Sequence, residues 1–390
     1  MGAAHVMFVA HDAGGTIPPV LAVAQTLVDA GHRATVLSQP SAVARAEAIG
    51  CTAKTFAGIG DYAPDQRIED QLETALPLLI GEGVGHQTIE LADAANVDVI
   101  VVDPNLAGAM AAAEAGDRPS AVLLHSLYAT FVDVWFGELW GLLGTPINEM
   151  RGRFELGPRQ SWDGLFGGHD LVVSPVPIAF NPRPPASAAP VEHVGFLVPR
   201  ADETHGVALA DRPTVLVSLS TTYQSQTDQL GGILRAIGQL SVNAIVTASP
   251  AVSAAVALEV PANVSIVPFV RHSVLLPSVH IVVTHGGLGT VSAALAHGVP
   301  LVCQPISRDQ PLNAQRVAEL GAGLTIDADA SPAAIVDHIR PRRPRLPKKR
   351  DCSCHCEPRR RGGRRSRRSR FETGAISAGM SGSTVAVGER

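Results

Sequence analysis

The residues with the most evident chemistry lie at a glycine-rich bend in the second half of the chain. Residues 279–298, VHIVVTHGGLGTVSAALAHG, predict a buried strand that ends at Thr284 and a helix that begins at about Thr290. Between the strand and the helix stand His285, Gly286, Gly287 and Gly289. Glycines let backbone N–H groups approach a ligand closely, and a helix N-terminus favours an anion. The spacing therefore predicts a phosphate or diphosphate site, to which Thr290 adds a hydroxyl donor and His285 a ring N–H donor.

A second polar pair follows the next predicted strand. Asp309 and Gln310 come shortly after the apolar run at 299–303. An adjacent carboxylate and amide can accept hydrogen bonds from a polyol and donate to it. Ligands in folds of this kind bind at the carboxyl edge of the sheet, where both the glycine bend and this pair are expected.

The elements that position these residues alternate along the chain. Short apolar runs rich in β-branched residues predict strands, and Ala/Leu-rich stretches between them predict helices. The predicted strands are 5–10, 34–38, 98–103, 120–125, 170–174, 213–219, 243–248, 263–268, 279–284, 299–303 and 323–326. The predicted helices are 18–31, 107–116, 226–240, 290–297 and 310–320. Strand, helix and strand in alternation predict an α/β chain with two doubly wound parallel sheets that face each other across a cleft.

A Pro-rich stretch at 175–190 separates the two runs of elements. We predict an N-terminal domain over 1–190, a linker over 191–212 and a C-terminal nucleotide-binding domain over 213–338. Residues 339–390 have no apolar periodicity, and their Arg-rich composition predicts an irregular, disordered tail.

Charge separates the tail from the body of the chain. Residues 1–339 carry 15 Lys and Arg against 32 Asp and Glu, whereas residues 340–390 carry 16 against 4. Phosphate neutralisation needs clustered basic residues, so the acidic body excludes specific nucleic-acid binding.

The sequence also predicts where the protein is found. The cysteines of the body stand alone, the first segment lacks signal-peptide character, and there is no long apolar run, which together predict a cytoplasmic protein without a membrane partner. The tail motif Cys-x-Cys-His-Cys lacks the usual spacing of a zinc site, so no metal is predicted.

The segment 279–317 resembles the nucleotide-sugar signature of the two-domain (GT-B fold) family 1 glycosyltransferases, particularly the actinobacterial enzymes that modify macrolides, aromatic polyketides and enediynes. The resemblance extends over about residues 1–338. It implies that the donor is a UDP- or dTDP-sugar and that no other cofactor is needed. It further implies that the sugar hydroxyls are held by Asp309 and Gln310. The residues implied to hold the diphosphate are His285, Gly286, Gly287, Gly289 and Thr290.

Two more segments carry the resemblance. Residues 267–277 are similar to the segment that surrounds the base, although Arg271-His272 replaces the usual Pro-Gln or Pro-His. Residues 213–224 are similar to the first strand and loop of the donor domain. That similarity implies three hydroxyl side chains near the phosphates, those of Ser220, Thr221 and Thr222.

The first half departs from the family at the catalytic base. Oxygen-glycosylating members carry Gly-His-x-x-Pro after the first strand, with an Asp that orients the His. Here the loop reads HDAGGTIPPV, so Thr16 occupies the base position, while Asp103 matches the Asp. Three interpretations stay open. Thr16 positions an acceptor that needs little deprotonation, His11 or Asp12 supplies the base, or the protein binds a donor without transferring its sugar.

The favoured function is metal-independent, inverting transfer of a hexose to a hydrophobic natural product, of the kind found in antibiotic biosynthesis. Inversion is implied by the resemblance. The aromatic residues at 128–140, with His125 near them, form either a buried helix face or a wall for an apolar acceptor. The alternatives are a nucleotide-sugar epimerase and an auxiliary donor-binding protein. A homodimer is one oligomeric state that the sequence allows.

Overall fold

A computed structural model describes residues 2–61, 75–132, 135–181, 187–198, 212–220, 226–248, 259–268 and 270–339. The elements in these ranges alternate between strands and helices. The strands are β1 (His5–Val9), β2 (Arg33–Ser38), β3 (Thr52–Thr55), β4 (Val99–Val102), β5 (Ser120–Leu123), β6 (Leu171–Ser174), β7 (Val191–His193), β8 (Thr214–Ser218), β9 (Asn243–Ala248), β10 (Val264–Pro268), β11 (Ile281–Thr284), β12 (Leu301–Cys303) and β13 (Gly323–Thr325).

Helices follow most of these strands, as the sequence pattern predicts. They are α1 (Ile17–Asp29), α2 (Pro40–Glu47), α3 (Glu82–Ala94), α4 (Ala107–Ala115), α5 (Tyr128–Val132), α6 (Trp135–Arg153), α7 (Trp162–Phe166), α8 (Thr227–Ile237), α9 (His272–Leu275), α10 (Leu288–Ala296), α11 (Gln310–Glu319) and α12 (Pro332–Ile339). A short 3₁₀ turn at Leu276–Ser278 continues α9.

The strands form two parallel sheets with the same kind of winding. The first has the order β3-β2-β1-β4-β5-β6-β7, and the second β10-β9-β8-β11-β12-β13. In each sheet the winding reverses direction at a central pair of strands. These pairs are β1 with β4, where Phe8 lies opposite Val101, and β8 with β11, where Val217 lies opposite Val283. Because loops diverge on either side of such a reversal, a crevice opens there at the carboxyl ends of the strands.

Both sheets are buried on two faces, which explains why their central strands are runs of apolar residues. Met7 and Val9 pack into the core on one face of the first sheet, while Val6 and Phe8 pack into the core on the other. The second sheet is enclosed in the same way, with Val217 on one face and Leu216 on the other. Two layers of helices around each sheet thus hold the strand ends rigidly.

The segment after β6 crosses from the first sheet to the core of the second. Val176 and Phe180 are buried with the side chains around β11 and β12. Arg316 of α11 donates from Nε to the carbonyl of Phe180 at 3.0 Å and from Nη2 to that of Ala179 at 2.9 Å. These contacts fasten residues 176–180 to the second half.

The predicted linker over 191–212 begins differently from the expectation. Residues Val191–His193 form β7, which pairs with β6 and belongs to the first sheet. The strand is short and holds one charged residue, so no apolar run revealed it. The tail that was predicted to be disordered lies outside the described residues from position 340 onward. Within the described ranges, no helix has the length and apolar character needed to cross a bilayer.

Candidate functional site

The glycine bend lies at the carboxyl edge of the second sheet. His285 directly follows β11, Gly287 is the N-cap residue of α10, and the helix begins at Leu288. The predicted start near Thr290 is therefore two residues late. Gly289 has a weak helix propensity, but the burial of Leu288 in the core brings both residues into the first turn. Thr290 is also buried, as the third helical residue.

The imidazole of His285 is held tightly within this bend. Its Nδ1 lies 3.3 Å from Thr284 Oγ1, and the ring also hydrogen-bonds to the backbone of Ser218. A Cβ added at Gly287 would lie 2.5 Å from His285 Nε2, so only glycine leaves room for the ring. Burial lowers the pKa of His285 to about 4, against the opposing charge of Asp309. The ring is therefore neutral at pH 7 and carries one N–H.

Gly286 joins the bend to α11. Its φ of 89° lies in the left-handed region that favours glycine. Its carbonyl accepts a hydrogen bond from Asn313 Nδ2 at 3.0 Å, and an added Cβ would lie 3.1 Å from the backbone oxygen of Gln310. Backbone conformation and close packing both require glycine here.

Asp309 and Gln310 point to different surroundings. Asp309 Oδ2 accepts hydrogen bonds from Asn313 Nδ2 at 2.9 Å and from Ser126 Oγ at 2.7 Å. Gln310 is 2 % exposed, and its Oε1 accepts from the backbone N–H groups of Ile306 and Ser307. The carboxylate thus faces the first half of the chain, whereas the amide oxygen closes the loop before α11.

The other predicted donor residues lie around β8. Ser220 is buried shortly after that strand, while Thr221 and Thr222 lie outside the described residues. Arg271 precedes α9, and Nε2 of His272 lies 2.9 Å from Ser218 Oγ. Burial lowers the pKa of His272 to about 4. The residues after these strands are called the second-sheet edge, namely Ser218, Ser220, His285–Thr290 and Asp309.

At the first sheet, Thr16 stabilises its own loop. Its hydroxyl donates to the carbonyl of His11 and accepts from the N–H of Ala13 at 2.9 Å. Both hydrogen bonds are local, and they close residues 11–16 into a compact turn before α1. Thr16 itself is buried. The hydroxyl is therefore engaged with backbone groups rather than directed toward a ligand.

Asp12 is likewise occupied in this loop. Its Oδ1 accepts from the N–H of Gly14 at 3.1 Å, and its Oδ2 contacts Arg45 Nη1 at 3.1 Å and Ser41 Oγ at 2.8 Å. An ion pair and two hydrogen bonds hold the carboxylate within the loop, which favours a positioning role for Asp12 over proton transfer.

His11, Asp103 and His125 follow three neighbouring strands, β1, β4 and β5. Asp103 is 2 % exposed. Its Oδ1 accepts from the N–H of Asn105 at 2.8 Å and lies 3.5 Å from His125 Nε2. Asn105 Nδ2 contacts the same ring nitrogen at 3.1 Å. A buried carboxylate thus lies close to the His125 ring, and its charge also acts on His11. These residues, with Ser126, are called the first-sheet edge.

Burial controls the protonation of His11. It lowers the pKa of His11 to about 4, the charge of Asp103 acts in the opposite direction, and the charge of Arg308 lowers it further. His11 is therefore neutral at pH 7, and the charges of Asp103 and, to a smaller extent, Asp12 stabilise its protonated form. The sequence places Thr16 at the base position and offers His11 or Asp12 as an alternative base; in the structure the charge of Asp103 acts on His11, and Asp103 Oδ1 lies 3.5 Å from His125 Nε2.

Comparison with known proteins relates the chain to sugar-transferring enzymes. Residues 232–340 match the family model for the C-terminal domain of erythromycin biosynthesis protein CIII-like proteins. The NDP-glycosyltransferase YjiC of Bacillus licheniformis is 26% identical over 86% of this chain and 88% of its own length. The tylactone mycaminosyltransferase of Streptomyces fradiae is 28% identical over 80% and 79%. A match to the uncharacterized UDP-glucosyltransferase YdhE of Bacillus subtilis covers 32% of that relative.

Solved structures share the architecture. The calicheamicin glycosyltransferase CalG4 superposes with a TM-score of 0.68 at 22% identity and covers 87% of this chain and 89% of its own. The glycosyltransferase VinC, solved in complex with dTDP, gives 0.65 at 21% identity over 86% and 90%. The chain has the GT-B fold of these glycosyltransferases. The predicted fold class and the family resemblance are thereby confirmed.

Three residues of this GT-B chain were not among the predicted site residues. Ser126 contacts Asp309 across the two halves, and Asn105 contacts His125. Arg308 has a φ of 61° and lowers the pKa of both His11 and His285. The sequence could have indicated them only by their positions, since Ser126 and Asn105 follow predicted strands and Arg308 precedes Asp309. The contact of Ser126 and the effect of Arg308 on His11 depend on the docking of the two halves, and the contact of Asn105 depends on the strand order of the first sheet. No local pattern reports either.

The aromatic residues of the GT-B chain are largely core. Tyr128 and Phe131 are fully buried and pack edge-on against Phe166, at 5.7 and 6.0 Å between ring centroids. Phe131 also packs against the ring of His125 at 5.3 Å. For these two side chains the buried-face interpretation is confirmed. In the ranges that the structure describes, no group of three or more His, Cys, Asp or Glu side chains is arranged to hold a metal ion.

Proposed function

We propose that the protein transfers a hexose from a UDP- or dTDP-sugar to a hydrophobic small-molecule natural product, as in antibiotic biosynthesis. The observation that supports this most strongly is the glycine bend, where a neutral imidazole and the N-terminus of a nine-residue helix lie side by side. The names of the relatives agree with the proposal, because they include a mycaminosyltransferase and an erythronolide mycarosyltransferase.

The second-sheet edge suits a diphosphate leaving group. The first turn of α10 presents N–H groups without intrahelical partners and a partial positive charge. The hydroxyl of Thr290 adds a donor that bears no charge of its own, and the His285 ring adds another when its single N–H is directed to the phosphate instead of the Ser218 backbone. Such donors stabilise the negative charge that develops as the bond between the anomeric carbon and the phosphate oxygen breaks. In this mechanism the protein's dipoles take the role that a metal ion has in other transferases.

His11 is the proposed general base. The acceptor hydroxyl attacks the anomeric carbon from the face opposite the diphosphate, which inverts that carbon, and its proton passes to the imidazole of His11. Burial keeps His11 neutral before the reaction, and the Asp103 carboxylate stabilises the imidazolium that forms. Thr16 contributes indirectly, because its hydroxyl holds the carbonyl of His11.

The test begins with nucleotide binding measured by titration calorimetry. We expect wild-type protein to bind UDP or dTDP, and His285→Ala to weaken that binding by about 10- to 100-fold, the value of a hydrogen bond to a charged group. His297→Ala is the matched control, because His297 is an exposed histidine at the other end of the same helix. Absence of binding by the wild type would refute the proposal.

A donor-by-acceptor screen read by mass spectrometry then tests transfer. The proposal expects a mass increase of one hexose residue on an apolar acceptor, with release of the nucleoside diphosphate. Conversion of the donor in the absence of acceptor would instead indicate an epimerase. Tight nucleotide binding without product on any acceptor would indicate an auxiliary donor-binding protein.

A further inference from the structure

Ser126 makes a direct contact between the two halves at the candidate site. It lies just beyond β5 and is 3 % exposed. Its Oγ is 2.7 Å from Asp309 Oδ2 and 3.3 Å from Thr130 Oγ1. A hydroxyl has one proton, and the carboxylate is both the closer and the stronger acceptor. The Ser126 proton therefore points at Asp309.

This hydrogen bond is one of two that fix the same oxygen of Asp309. Asn313 Nδ2, four residues further along the second half, donates to Oδ2 at 2.9 Å, and it also donates to the carbonyl of Gly286. Asn313 is completely buried. Ser126, Asp309 and Asn313 thus form a chain of hydrogen bonds that ends at the glycine bend. Because both side-chain donors use Oδ2, they orient the carboxylate so that Oδ1 is presented for another ligand.

We propose that Ser126 is a positioning residue for the sugar of the donor. By holding Oδ2, it directs Oδ1 of Asp309 toward a hexose hydroxyl, which Oδ1 accepts as a charge-assisted hydrogen bond. Ser126 thereby makes sugar recognition depend on the first half of the chain. This inference rests on the proposed function, in which Asp309 binds the sugar and His285 the diphosphate.

The prediction is a selective effect on the sugar part of the donor. Removing the Ser126 hydroxyl leaves Asn313 in place but frees the carboxylate to rotate. We expect Ser126→Ala to weaken the binding of UDP-glucose or dTDP-glucose by about 5- to 20-fold, somewhat less than the loss of a whole charged hydrogen bond. Binding of UDP or dTDP, which have no sugar to contact Asp309, should stay within about twofold of the wild type.

Titration calorimetry on the full chain tests this with four ligands: UDP, dTDP and their glucose conjugates. Thr130→Val is the matched control, because Thr130 touches Ser126 but its hydroxyl makes no hydrogen bond to Asp309. It should leave all four affinities unchanged. Thermal unfolding of each variant establishes that it is folded.

A double-mutant cycle with Asp309→Asn adds a second readout. If Ser126 acts through the carboxylate, Ser126→Ala should cost little further affinity for the sugar nucleotide in the Asp309→Asn background. Equal weakening of nucleotide and sugar nucleotide by Ser126→Ala, or no weakening of either, would overturn the inference while leaving the proposed function intact. Failure of the wild type to bind any of the four ligands would refute the proposed function itself.

Discussion

The two sheet edges use the same winding but build their chemistry differently. The second-sheet edge takes most of its groups from one continuous stretch, from Thr284 through the first turn of α10, with Asp309 close behind. The first-sheet edge collects His11, Asp103 and His125 from three separate strand ends. One edge depends mainly on backbone geometry, and the other on side chains that meet only in the folded chain.

This difference explains where the chain departs from the family that it resembles. Backbone donors at a helix N-terminus require glycines at fixed positions, so a substitution there would disturb the site directly. A side-chain base requires only an imidazole beside a carboxylate. Position 16 can therefore be Thr when the charge of Asp103 acts on His11 instead. The second-sheet edge thus requires particular residue types at particular positions. The first-sheet edge requires only that an imidazole and a carboxylate lie near each other.

The sharpest way to break this comparison is to remove the proposed base. His11→Ala should lower kcat by about 10²- to 10³-fold, the usual contribution of general base catalysis, without changing nucleotide affinity. His125→Ala is the matched control and should lower kcat less than tenfold, because its ring is engaged by Asn105. Steady-state kinetics and calorimetry measure the two effects. A larger loss for His125→Ala would assign the base to His125.

Two glycines of the second-sheet edge separate two roles: Gly286 is needed for the backbone conformation, and Gly289 for the space that a ligand would occupy. Gly286→Ala should destabilise the fold by roughly 1–3 kcal/mol, because its positive φ strains any other residue, and should weaken nucleotide binding by about tenfold. Gly289→Ala should leave stability unchanged or slightly higher, since no atom lies within 4 Å of the added Cβ. It should still weaken nucleotide binding.

Chemical denaturation and calorimetry distinguish these two glycine variants. If Gly289→Ala bound nucleotide as the wild type does, the space above the first turn of α10 would not be the phosphate site. If Gly286→Ala were as stable as the wild type, the strained bend would not be needed for folding.

A further expected effect concerns pH and involves histidines of both halves. Burial lowers the pKa of His11 and His169 in the first half, and of His272 and His285 in the second, to about 4 in each case. In the unfolded chain these groups take up protons below about pH 6.5, which the folded chain does not. Stability should therefore be constant above pH 6.5 and fall by about 1 kcal/mol per pH unit for each histidine down to pH 4.

Scanning calorimetry at pH 7, 6 and 5 measures this loss. His169→Gln should make the melting temperature depend less on pH, because it removes one of the four titrating groups. His169 is distant from the cleft, and the amide of Gln can still hydrogen-bond to Ser120 Oγ. A melting temperature that does not change between pH 7 and 5 would contradict the prediction.

Much of the architecture could be predicted because buried parallel strands are apolar runs. The strand predicted at 243–248 is β9, and the run at 279–284 contains β11. The missed strands, β3 and β7, lie at the two edges of the first sheet. β3 has the sequence Thr-Ala-Lys-Thr and is largely exposed, so it lacks the pattern of a buried strand. α3 was missed because two glycines interrupt its first turns.

The candidate site could be predicted only where it is local. The glycine bend could be predicted because its residues are consecutive, and because glycines between a strand and a helix let backbone N–H groups approach an anion. The contact of Ser126 with Asp309, and that of Asp103 with His125, join residues that are distant in sequence. Such contacts follow from how strands are ordered and how the two halves dock, and a single sequence does not report either. The roles of the predicted residues stay predictions until the variants above are measured.

The anchoring of residues 176–180 to α11 has a practical consequence for exchanging parts between related enzymes. A hybrid joined at the Pro-rich stretch near 190 would take Val176 and Phe180 from one parent and Arg316 with its surrounding core from the other. If residues 176–180 of the other parent follow a different path, the buried guanidinium of Arg316 loses its hydrogen bonds to their backbone carbonyls. A junction directly after β6, near residue 175, takes residues 176–180 and the core of the second half from the same parent.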